Sequence, residues 1–115
     1  MILIFLQAFI ATAINPDALR TFGQVCDAHG YQFEAHNVTT EDGYILTLFR
    51  IPTKTGEPYT PGKPVVFLQH GLIDLADTWI MNVPSPGFMF ADAGFDVWFG
   101  NSRGSYHSLG HIKYN

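Results

Sequence analysis

The chain has 115 residues, of which 47% are hydrophobic and 14% charged, with a formal net charge of -4 at pH 7. That hydrophobic share excludes a disordered chain, and six Lys and Arg against ten Asp and Glu supply no basic surface for nucleic acid. A single cysteine, Cys26, excludes an intramolecular disulfide scaffold and reads as a small buried hydrophobe rather than a nucleophile.

Residues 1–13 carry no charged side chain and close on Ala11-Thr12-Ala13, the pattern of a secretory signal peptide with an Ala-x-Ala cleavage site. The basic start usual in such segments is missing apart from the terminal amine. A transmembrane anchor is the alternative, but a span needs about 20 apolar residues and this run meets Asn15-Pro16 after about 14. The mature chain is expected to begin near Ile14, leaving residues 14–115 as one unit.

Asn15-Pro16-Asp17 marks a helix entry, and Leu19, Phe22, Gly23 and Cys26 fall on one helical face that ends at His29-Gly30. Two strands follow, Tyr31 to Thr39 and Tyr44 to Ile51, joined by Glu41-Asp42-Gly43 as a hairpin. Asn37-Val38-Thr39 is an N-glycosylation acceptor, or else an unmodified strand residue. His29 and His36 have no partner visible in the sequence and read as surface or strand residues. Residues 52–64, rich in Pro and Gly, form a solvated loop.

Val65-Val66-Phe67-Leu68 is a short apolar run with two β-branched residues, cut off at His70-Gly71, and predicts a parallel strand covered on both faces. A segment with a short helix before Pro84-Ser85-Pro86-Gly87, a helix over Phe88 to Ala93 capped by Gly94, and a strand over Phe95 to Phe99 complete one crossover unit. The fold class is therefore α/β: a β-hairpin plus the start of a parallel sheet with crossover helices. Ligands in such sheets bind beyond the carboxyl ends of the strands, which places His70, Gly71 and Leu72 where chemistry is expected. In an α/β-hydrolase the loop after the third strand donates a backbone N–H to the oxyanion hole, and Gly71 would let that backbone approach a reacting carbonyl. The other reading of the same residues is an ordinary strand-to-helix turn.

Gly100-Asn101-Ser102-Arg103-Gly104 satisfies Gly-x-Ser-x-Gly, so pattern alone makes Ser102 a nucleophile. Against this, the residues after it are poor helix formers, its strand comes one too early, and no Asp or Glu follows it to complete a triad. Ser102 is read as part of a polar loop. His107 and His111 have the spacing of two metal ligands on a helix, but Gly110 undermines that helix and no third ligand stands nearby. No metal and no cofactor are expected.

The series Thr40-Glu41-Asp42-Gly43-Tyr44-Ile45-Leu46, Arg50-Ile51-Pro52, Pro64 to Leu72, Ala91 to Trp98 and Gly100 to Gly104 closely resembles the acid lipase family, which includes lysosomal acid lipase and gastric lipase. The resemblance runs from about Val38 to Gly104 and corresponds to the amino-terminal, partial α/β-hydrolase lipase region. It implies a secreted or lysosomal hydrolase of neutral lipid esters, triacylglycerols and cholesteryl esters. It also implies an oxyanion-hole N–H at Leu72, a nucleophile elbow distinct from Asn101-Ser102-Arg103-Gly104, and a serine, aspartate, histidine and cap in later segments. Residues 14–115 are then an incomplete hydrolase, inactive alone. Ala28-His29-Gly30-Tyr31 departs from the aromatic-Gly pattern of the family. The competing readings are a non-catalytic lipid-binding or interaction fragment, and a small hydrolase using Ser102.

Overall fold

The computed structural model describes residues 15–114, so the expected leader over residues 1–13 lies outside the described residues. Asn15 accepts from the Asp17 N–H at 3.0 Å and starts a single 3₁₀ turn, Pro16–Leu19. Thr21 then begins a separate helix, α1 (Phe22–Ala28): its hydroxyl accepts from the Gln24 N–H while the Gln24 side chain accepts from the Thr21 N–H. This reciprocal cap satisfies two N–H groups that a continuous helix would have paired, so the one helix predicted from Asn15 to His29 is two pieces. The break turns Leu19 away from the packed face, where it is 90% exposed. Phe22, Val25 and Cys26 carry the packing instead, and burial pushes the Cys26 thiol up to about 12.

Strands β1 (Glu34–Thr39) and β2 (Tyr44–Ile51) form the predicted hairpin, in register from Glu34 opposite Arg50 to Thr39 opposite Ile45. Gly43 makes the turn at φ +91°, and a Cβ there would come within 2.8 Å of Ile112. Tyr31, expected to open the first strand, makes only an isolated bridge to Lys54. Its phenol donates to Asp92 at 2.7 Å, and burial with that carboxylate beside it pushes its pKa up to about 12.

Strand β3 (Val65–Gln69), a 3₁₀ turn (Ala76–Trp79), helix α2 (Pro86–Asp92) and strand β4 (Asp96–Gly100) make the parallel crossover. The sheet order is β1-β2-β4-β3, with a short β5 (Gly110–His111) pairing the start of β2. Phe49, Phe99 and Leu68 lie side by side across three strands, as do Ile51, Val97 and Val66. This face is covered by α1, α2 and the 3₁₀ turn through Phe22, Val25, Cys26, Ala76, Ile80 and Phe88. Phe22 stands at its centre, with ring centroids 4.6 Å from Phe49 and 5.1 Å from Phe99.

The expectation that β3 is covered on both faces is corrected. β3 is an edge strand among the described residues, and Val65 and Phe67 are 63% and 54% exposed. An apolar run of four residues marks a strand that a second layer can cover, but among the described residues the helices supply only one layer. On the open face, Glu34, Arg50, Trp98 and Phe67 form one row through strand pairing. There Arg50 donates to both carboxylate oxygens of Asp96, at 2.8 and 2.7 Å, and to Glu34 at 3.0 Å. Its guanidinium also lies 5.0 Å from the Trp98 ring and 5.1 Å from Tyr59. No helix among the described residues is long and apolar enough to cross a membrane.

Candidate oxyanion-loop site

Strand β3 ends by burying His70 and exposing everything immediately after it. The imidazole is 8% exposed, whereas Leu72 and Ile73 are 94% and 97% exposed. His70 Nε2 accepts from the Ser102 backbone N–H at 3.1 Å, and Nδ1 lies 2.8 Å from the Gly71 carbonyl oxygen. An N–H can only donate and a carbonyl can only accept, so these contacts assign a neutral ring with its proton on Nδ1. Ile73 holds a left-handed backbone at φ 56°, which a β-branched side chain adopts only under strain from its surroundings. Asp74 ends the loop by accepting from the Leu75 N–H at 2.8 Å.

Facing this loop is the turn that follows β4. Between them lies an open cleft of about 450 Å³, with residues 70–74 on one side and 102–105 on the other. Among the described residues the Leu72 N–H donates to no backbone acceptor. The structure thus places His70, Gly71, Leu72 and Ser102 together at the carboxyl ends of two parallel strands.

Ser102 is held at two atoms. Its N–H goes to His70, and its hydroxyl oxygen accepts from the Gln69 carboxamide at 3.0 Å. No helix follows it, only turns and bends up to β5. The pattern around it is explained by its neighbours. Asn101, 2% exposed, donates to the Thr47 carbonyl at 3.0 Å and accepts from the Ala76 N–H at 3.3 Å, which ties β2 and the 3₁₀ turn to the end of β4. Ser108, also buried, accepts from the Thr47 N–H and donates to the Asn101 carbonyl, both at 3.0 Å. Arg103 donates to both Asp42 carboxylate oxygens and lies 4.2 Å from the Tyr44 ring centroid; its guanidinium holds the Asp42 carboxyl down at about 2.

The sequence reading left His29 and His36 without partners and His107 without an acid, and the tertiary structure supplies them. His107 Nε2 meets Asp77 at 2.6 Å, so an acid for this histidine comes from before Ser102 rather than after it. His29 bonds Asp17 at 2.7 Å and His36 bonds Glu34 at 2.7 Å; in each case the contact holds the carboxyl below its ordinary value. His111 bonds the Asp42 carbonyl oxygen and lies in β5, not on a helix with His107. No group of three His, Cys, Asp or Glu among the described residues is placed to hold a metal ion. Sequence reasoning missed Gln69, Asn101 and Ser108. For Gln69 and Asn101 the one trace in the sequence is a polar residue at the end of an apolar strand, and Ser108 left none.

Residues 22–83 match the family model of the partial alpha/beta-hydrolase lipase region. Lipase member K of Homo sapiens is 50% identical over 102 residues, covering 86% of this chain and 26% of that protein. Gastric triacylglycerol lipase of Bos taurus is 48% identical over 106 residues, covering 90% of this chain and 27% of the relative. Lipase member M of Homo sapiens is 49% identical over 102 residues, covering 86% and 24%. The chain therefore spans about a quarter of the length of the curated relatives it matches. With its hairpin, its crossover and the His-Gly-Leu loop at the end of β3, the chain belongs to the α/β-hydrolase lipase family, matching its partial α/β-hydrolase lipase region.

Proposed function

We propose that this chain supplies the oxyanion loop of a secreted or lysosomal serine hydrolase acting on neutral lipid esters, triacylglycerols and cholesteryl esters. The observation that carries the reading is the Leu72 N–H, without a backbone acceptor among the described residues, at the mouth of a cleft beyond the carboxyl end of β3. In the reaction an activated serine attacks the ester carbonyl, whose oxygen gains negative charge and is held by two backbone N–H groups, one of them from Leu72. Losing one such donor lowers kcat by roughly 100- to 1000-fold. The serine mechanism requires neither metal nor organic cofactor.

The nucleophile and the triad aspartate and histidine come from residues other than these 115. Ser102 has its hydroxyl on Gln69, and His107 has its Nε2 on Asp77. The 115 residues alone are then inactive. Export through residues 1–13 and glycosylation at Asn37 belong to the same reading. The test is to express the complete reading frame and the 115-residue chain side by side on a tributyrin emulsion, with a fluorophosphonate probe. Hydrolysis and labelling at a serine beyond residue 115 are expected in the longer product only. Labelling at Ser102 that disappears in Ser102→Ala would overturn the assignment.

A second reading, a non-catalytic lipid-binding or interaction fragment, draws on Val65 and Phe67 exposed on the open sheet face. Flotation of residues 14–115 with neutral-lipid emulsions, lost on Phe67→Ser, is the outcome it requires.

A further inference from the structure

We propose that His70 is the positioning residue that aims the Leu72 N–H, an inference that rests on the oxyanion reading of Leu72. The carbonyl of Gly71 and the N–H of Leu72 belong to one planar trans peptide unit, so they point in opposite directions. Whatever fixes the carbonyl fixes the direction of the N–H. Packing does not do this. A Cβ on Gly71 would meet nothing within 4 Å, and the side chains of Leu72 and Ile73 stand almost wholly in solvent. Leu72 and Ile73 form a turn that begins at this peptide, and the side-chain contact on its carbonyl is His70 Nδ1 to the Gly71 oxygen, at 2.8 Å.

The ring is itself fixed from its other end. Nε2 accepts from the Ser102 N–H at 3.1 Å, and Ser102 follows Asn101, which is buried and bonded to Thr47 and Ala76. A continuous path of bonds thus runs from the sheet interior, through Asn101, Ser102 and the imidazole, to the one peptide whose orientation sets the donor. The two nitrogens of His70 act separately, Nε2 as the anchor and Nδ1–H as the group that aims. Two substitutions distinguish these roles. The carboxamide of Asn falls near the position of Nδ1 and that of Gln near Nε2.

The test uses the product of the complete reading frame. With ¹⁵N-labelled histidine, the ring shifts of His70 are expected to report the Nδ1–H tautomer; the Nε2–H tautomer would overturn the proposal without any variant being made. In kinetics, His70→Asn keeps a donor for the Gly71 oxygen but loses the anchor on Ser102, and is expected to lose kcat by about 10-fold at unchanged KM. His70→Gln is expected to lose kcat on the order of 100-fold at unchanged KM, the scale of a misplaced catalytic group. Equal losses, or a larger loss in His70→Asn, would assign His70 to tethering the Ser102 turn alone and sink the idea. Replacing Leu72 by its α-hydroxy acid deletes the N–H and tests the parent reading separately. If that change leaves kcat unaltered, the oxyanion assignment fails. If it lowers kcat while the two His70 variants behave alike, only the positioning role fails.

Discussion

The Gln69 side chain reaches the Ser102 hydroxyl at 3.0 Å by crossing the space that a Cβ on residue 100 would occupy. Gly100 is thus required by contact and not by backbone conformation: its Cβ would overlap the Gln69 carboxamide oxygen and lie 2.8 Å from the Phe67 ring. Both obstacles are the far ends of movable side chains. Gly100→Ala is expected to displace Gln69 at a cost of about 1 kcal/mol, the net worth of one hydrogen bond. Gln69→Ala should cost a similar amount, and the double variant no more than either alone. Urea unfolding of the three variants checks this, and full additivity would show that Gln69 and Gly100 are independent.

Asn101 is expected to be the most sensitive polar position of the turn. Asn101→Ala leaves the part-buried Thr47 carbonyl and the buried Ala76 N–H without their partner, at about 1–3 kcal/mol for the buried group and less for the other. Asn101→Asp keeps an acceptor for Ala76 but places a carboxylate against a carbonyl, and should be no better tolerated. Thermal unfolding ranks both below Ser102→Ala, whose hydroxyl bond lies at the surface.

Asp96 predicts how the fold responds to acid. Its carboxylate is buried, and the Arg50 guanidinium beside it holds its pKa below the ordinary value of 3.8. Because the folded value lies under the unfolded one, the stabilisation is complete above pH 3.8 and is lost as pH falls through the folded value. Asp96→Asn is expected to cost about 3 kcal/mol at neutral pH, with Arg50 left short of its bidentate partner. It should also flatten the decline in stability below about pH 4. Unfolding midpoints measured from about pH 3 to 7 test both statements.

Asn37 stands exposed on β1, an edge strand of the sheet, with its carboxamide oxygen accepting from the Thr47 hydroxyl at 3.2 Å. Expression in a secretory host is expected to yield a glycoform that shifts on deglycosylation, and Asn37→Gln should abolish the shift. A glycan there would also blunt the free edge of β1 against pairing with another chain.

The hairpin, the crossover unit, the helix before Gly94 and the His-Gly-Leu loop at the end of a strand were legible in the sequence. Each is written in local terms: alternation, a Gly after an apolar stretch, a turn dipeptide. The sequence by itself also argued against reading Ser102 as an elbow serine, through the residues that follow it. The tertiary structure alone decided what holds the site. Asp77 and His107, like Thr47 and Asn101, are far apart in the chain, and no periodicity couples positions that only the sheet order brings together. It also decided that β3 is open on one face among the described residues, because burial of an apolar strand is a property of the layers around it, not of the strand. The role of His70 belongs to the same class. Its neutral state and its two separate bonds follow from the Ser102 N–H and the Gly71 carbonyl, backbone groups common to almost every residue, whose direction the fold alone assigns.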